Sequence, residues 1–225
     1  NLHLNLTILQ WLGLWSCNKG STRFKALFLR IAFCFAFTIQ ATIHIVEIMD
    51  ITVNWGHLSN PTENIYTIGC SIMAIVKELT IIFRTKNIQT LVNILDNELF
   101  VPRKQGSPQQ QEEIARACKK EARMFTLIFI SMCTFVGTSF SFVPFVDILL
   151  GHSATDVSSQ RPMPYTAWFP FNVTETPAYE VAYIYLSLET TYTAIYIGSC
   201  DALFVALIIH LRGQFQILHV SLRDI

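Results

Sequence analysis

Three sets of residues in this sequence have the types and spacing that chemistry requires: His44 with Glu47, Lys77 beside Glu78, and the late acids Glu180, Glu189 and Asp201. A histidine and a glutamate three residues apart share a helix face. They offer either two metal ligands or one hydrogen-bonded couple, and because two ligands do not complete a metal site, the couple is the favoured reading. Lys77 and Glu78 are adjacent charges inside an apolar stretch, where an ion needs a reason to be. Lys77 has three ways out: reaching the headgroups, pairing with Glu78, or meeting a carboxylate on a neighbouring helix. A structural pair is favoured over a part in gating. The sequence shows no histidine pair, G-x-S-x-G elbow, glycine-rich phosphate loop or carboxylate cluster, so neither an enzyme nor a cofactor is expected. The six cysteines form no C-x-x-C pair and read as small apolar residues.

The elements that must carry these residues are membrane helices. Hydrophobic residues make up 52% of the chain and charged ones 14%, with a positive mean hydropathy, a balance that suits a polytopic membrane protein. A near-neutral pI gives no sign of a nucleic-acid partner. The longest apolar stretch, Tyr179 to Leu211, has 33 residues without Pro, Lys or Arg, against ~20 needed to cross a bilayer. Before it lies a loop holding Pro162, Pro164, Pro170 and Pro177, which cannot continue a helix, so the helix should start near Ala178.

Read in order, the chain is expected to be all-α with four transmembrane helices and an intracellular N-terminus. Residues 1–25 form an interfacial or cytoplasmic segment in which Trp11 and Trp15 precede Lys19, Arg23 and Lys25. This segment either lies along the membrane surface or packs as a short helix under the bundle. A first span covers 26–50, an outer loop 51–64, a second span 65–84 and a cytoplasmic helical loop 85–123. In that loop Ser107, Pro108 and Gln110 resemble a helix start. A third span covers 124–150, with Pro144 expected to kink it. A second outer loop covers 151–177, a fourth span 178–212 and a helical tail 213–225. Asn1 is not preceded by a visible signal peptide.

Charge orients these spans. Fourteen basic residues flank the first span, join the second to the third, or follow the fourth: Lys19, Arg23, Lys25, Arg30, Arg84, Lys86, Arg103, Lys104, Arg116, Lys119, Lys120, Arg123, Arg212 and Arg223. The opposite loops hold only Arg161. Lys and Arg are retained in the cytosol, so the N-terminus is placed inside and the loops 51–64 and 151–177 outside. Of the glycosylation sequons, Asn172 is then accessible, Asn5 should stay bare, and Asn60 is excluded by Pro61.

With those residues placed, a resemblance emerges. The run from Pro164 to Phe171 (PYTAWFPF), the run from Pro177 to Tyr185 (PAYEVAYIY), and the later Cys200 to Phe204, His210 and Gly213 to Phe215 resemble the second outer loop and fourth helix of insect odorant receptors. The resemblance implies a seven-helix, multi-pass subunit of a tetrameric odorant-gated cation channel in the plasma membrane of a sensory neuron. It implies assembly with the shared olfactory co-receptor. Only four spans are read here, so the pore-lining last helix and most of the intracellular anchor domain are expected to follow Ile225.

A volatile ligand needs an enclosed, mostly apolar pocket with one or two polar groups to orient it. The outer halves of spans two, three and four supply the candidates: Tyr66, Gly69 and Met73; Thr134, Gly137, Thr138, Ser141 and Phe145; and Tyr185, Leu188, Glu189 and Tyr192. For each the alternative role is packing, because small residues also let helices approach in membranes. The rival function is a small transporter in which Lys77, Glu78, Glu189 and Asp201 form an ion path.

Overall fold

The structure, a computed structural model, describes residues 2–12, 23–54, 61–95, 107–150, 161–165 and 167–223. Its elements are α1 (Leu2–Trp11), α2 (Arg23–Asn54), α3 (Pro61–Asn93), α4 (Pro108–Leu149) and α5 (Ala178–Arg223). From α2 onward, proline marks the breaks between them. Pro61 and Pro108 occupy first helical positions, where a missing N–H costs nothing, and α5 opens directly after Pro177. At Pro108 the carbonyl of Ser107 accepts the first helical bond, from the Gln111 N–H.

Among the described residues α2, α4 and α5 contain stretches long and apolar enough to cross a membrane. The 33-residue α3 is long enough as well, although the side chains of residues 61–67 lie outside the description. The chain is an all-α polytopic membrane protein. Exposed Phe35, Ile45, Ile72, Phe135, Phe142 and Ile184 are therefore surfaces for lipid. Threonines within the helices return their hydroxyls to carbonyls one turn back, as Thr38 does to Cys34 and Thr138 to Thr134. That satisfies a polar group where water is absent. The 46 residues of α5 extend about 69 Å at ~1.5 Å per residue, well beyond a hydrocarbon core of ~30 Å. Likewise α4 runs unbroken through Pro144.

The chain divides into two compact units, and each long helix contributes a segment to both. The first comprises Asn1–Arg30, Lys77–Ser131 and Ile197–Ile225. Its core uses small residues, Cys118 and Ala122 of α4 and Ala202 and Ala206 of α5. In this unit α1 is a packed helix: Leu2, Asn5 and Leu9 are buried, and Asn5 Nδ2 donates to Thr126 Oγ1 at 3.1 Å, while Trp11 remains 68% exposed. The expected anchors Trp15 and Lys19 lie outside the described residues. Farther along, Gln111 donates to Ser221 and Arg212 pairs with Glu121.

The second unit comprises Ile31–Val76 and Met132–Tyr196. Ile43, Ala74, Ala182, Leu186 and Tyr196 fill its core. Here α4 and α5 approach closely at Gly137: a Cβ placed there would lie 2.7 Å from the Cβ of Ala194. A glycine is needed at that crossing.

Candidate functional site

In the second unit the proline-rich loop is held down by aromatic side chains. Tyr179 Oη donates to the Pro162 carbonyl at 2.7 Å, and Arg161 lies over the Tyr179 ring with Glu180 3.9 Å away. Phe169 meets Tyr185 edge to face at 6.5 Å. The loop thus places Tyr165 against α5, where its hydroxyl donates to Glu189 Oε2 at 3.0 Å while Thr193 donates to Glu189 Oε1 at 2.7 Å. Burial drives the Tyr165 phenol well above its ordinary pKa, and the nearby Glu189 and Glu47 carboxylates push it the same way. Tyr165 is therefore a neutral hydrogen-bond donor.

A second polar group belongs to α2 and α3. Ser71 donates to Glu47 Oε2 at 2.6 Å, and His44 Nδ1 approaches the same oxygen at 3.4 Å. His44 and Glu47 are thus the hydrogen-bonded couple that their spacing suggests. Tyr185 joins α5 to α2: its hydroxyl lies 2.7 Å from Thr42 Oγ1 and donates to the Ile39 carbonyl at 3.2 Å. Tyr183 donates to the Ser141 carbonyl of α4, and Tyr192 stacks on Tyr196. Two buried carboxylates are therefore held, each by two donors, among tyrosines from α5 and the loop.

Lys77, in the first unit, meets Asp201 of α5, with Nζ 2.8 Å from each carboxylate oxygen. Of the three outcomes open to it, the neighbouring-helix carboxylate is the one realised. The first unit also contains an open groove of about 720 Å³ walled by Ile114, Leu211, Phe215 and Val220.

The sequence model of the seven-transmembrane odorant receptors (7tm Odorant receptor) matches residues 58–225. The chain belongs to the insect odorant receptor family. The family is one of receptors, not enzymes. Among curated proteins, odorant receptor 82a of Drosophila melanogaster is 34% identical over 93 residues, covering 41% of this chain and 24% of that protein. Odorant receptor Or1 of Anopheles gambiae is 22% identical over 218 residues, covering 94% and 47%. The chain thus spans about half the length of a relative that it matches nearly end to end. Two solved structures of the olfactory receptor OR5 from Machilis hrabei share the fold. The one in complex with eugenol has a TM-score of 0.78 at 18% identity, over 98% of this chain and 56% of that one. The other has a TM-score of 0.67 at 20% identity, over 99% and 56%.

Within this odorant receptor fold the expected pocket residues separate into three groups. Tyr185 and Glu189 join the polar network, Ser141 borders it through Tyr183, and Tyr192 is ring-stacked. Gly137 serves the α4–α5 crossing, and Thr134 accepts the hydroxyl of Thr138. Gly69 opens onto free space, and Met73, Phe145 and Leu188 are exposed, Met73 at 55% and Leu188 at 64%. The side chain of Tyr66 lies outside the description. Sequence reading did not place Tyr165, Phe169, Thr42, Ser71 or Thr193 at this site. The one available signal was the His44–Glu47 spacing, which marked a polar face on α2.

Proposed function

We propose that this odorant receptor chain is the ligand-binding part of a subunit that assembles with the olfactory co-receptor into a heteromeric, ligand-gated, non-selective cation channel in the plasma membrane of a sensory neuron. A volatile odorant enters from outside and settles among the outer halves of α3, α4 and α5, with α2 supplying polar contacts. The aromatic and carboxylate cluster of Tyr165, Tyr185 and Glu189 carries this reading: it combines ring walls with a few fixed polar groups, which is what a small volatile needs. The eugenol complex of the Machilis hrabei receptor supports it, because that relative takes a compact aromatic volatile. A ligand of ~10 heavy atoms supplies at most ~10 kcal/mol, and only its preference for the open state drives gating. Each wall residue therefore matters.

The test is current. In cells co-expressing the receptor with the co-receptor, odorant should evoke cation current, and Tyr185→Ala or Tyr192→Ala should shift the half-effective concentration by about tenfold or more, equivalent to ~1.4 kcal/mol. Coupled solute uptake without channel current would replace this reading with the transporter. Unchanged potency in both tyrosine variants would remove the proposed pocket.

A further inference from the structure

Two buried side-chain nitrogens of the second unit have no partner in the bonded network, one on buried Gln40 and one on the far edge of the half-buried His44 ring. Gln40 is 2% exposed and its Nε2 meets no hydrogen-bond partner, and the Nε2 of His44, one helical turn later, is buried and unmet as well. Their spacing puts both on one face of α2 with Cβ atoms about 5–6 Å apart. That face also buries Ile43 and Glu47.

The two groups are chemically complementary. The Gln40 amide nitrogen donates. On His44, Nδ1 faces the Glu47 carboxylate, which when ionised can only accept, so in the neutral imidazole Nδ1 carries the hydrogen and Nε2 presents a lone pair. Ser71 holds Glu47 from α3, and this steadies the imidazole from behind. Inside a membrane span neither group can turn to bulk water, and a buried polar atom without a partner destabilises the site until one arrives.

A hydroxyl both donates and accepts through a single oxygen. We propose that Gln40 and His44 form a hydroxyl-reading subsite of the odorant cavity, which selects alcohols and phenols: the ligand O–H donates to Nε2 of His44 and its oxygen accepts from Nε2 of Gln40. This rests on the second unit being the odorant site. An aldehyde of the same size only accepts, so it satisfies Gln40 and leaves His44 unmet. His44 therefore sets the selectivity, while Gln40 contributes to both ligand classes.

Matched pairs of probes test this: benzyl alcohol against benzaldehyde and 1-hexanol against hexanal, applied to the full receptor with its co-receptor. The alcohol of each pair should be more potent by about tenfold, the worth of one added hydrogen bond. His44→Phe should bring the alcohol-to-aldehyde ratio to about one by weakening the alcohol alone, and His44→Gln, which restores an acceptor, should recover part of it. Gln40→Leu should weaken both members together. A ratio taken within one variant is independent of surface expression, and His44→Met serves in place of His44→Phe where the latter fails to mature. Aldehydes as potent as alcohols, a His44 variant that weakens both classes equally, or silence to all four probes would overturn the proposal. If the ratio ignores His44 while Tyr185→Ala still shifts every potency, the subsite fails and the odorant reading stands. If neither position changes anything, both fail.

Discussion

At the scale of single residues, Tyr165 ties the outer loop to the helix beneath it. Its half-buried phenol donates to Glu189 and lies close enough to Glu47 to be affected by its charge. Tyr165→Phe removes that one bond and leaves the ring, so it should cost about 1.5–3 kcal/mol, the range for hydrogen bonds to charged groups. The raised pKa also has a signed consequence. The native protein keeps a proton that the unfolded chain releases near pH ~10, so the stabilisation is complete below that pH and is lost as pH rises beyond it. Thermal unfolding of the detergent-solubilised receptor from neutral to about pH 11 should show this alkaline loss, and Tyr165→Phe should show less of it. Equal alkaline slopes in the two proteins would contradict the burial of Tyr165.

At the scale of elements, the α4–α5 crossing depends on a missing methyl group. A side chain at Gly137 meets Ala194 Cβ at 2.7 Å and the backbone at Thr190 and Thr191 at 3.3 Å. None of these is the end of a flexible side chain. Gly137→Ala should therefore push the helices apart and destabilise the second unit by about 1–3 kcal/mol, the usual cost of overpacking. Ala194→Gly made in the same chain should restore much of the loss, as read by unfolding temperature and surface expression. Without that rescue, the glycine would be there for a reason other than helix contact. In the first unit the helices are joined by charge instead, through Lys77 of α3 and Asp201 of α5. An intramembrane lysine is tolerable there because its counter-ion is supplied by the fold.

At the scale of the whole molecule, the threading of the chain through the bilayer determines which surface the proposed odorant cavity opens to. Asn172 lies in the loop assigned to the outside, exposed, with its side-chain carbonyl held by the N–H and hydroxyl of Thr174. Asn5, the other usable sequon, is buried against Thr126. Expression in cells should give one glycosidase-sensitive mobility shift, abolished by Asn172→Gln and unaffected by Asn5→Gln. A glycan on Asn5, or an epitope near Trp168 accessible only after the cell is permeabilised, would reverse the orientation and remove the proposed cavity from the exterior.

Sequence alone was enough for the class of fold, because its signals are local. Apolar stretches of bilayer length declare the helices, and Pro61, Pro108 and Pro177 sit at their boundaries. Which side chains meet was decided only by tertiary structure. Lys77 pairs with Asp201 from 124 positions away, and Ser71 turns toward Glu47 while Met73, two residues along the same helix, is exposed. The physical reason is the solvent. In water a helix shows its buried face by being apolar there and polar elsewhere, but in a bilayer the lipid-facing side is as apolar as the core. The period that would have separated Leu188 from Glu189, or shown α2 to be part of the site, is therefore mostly missing from the sequence.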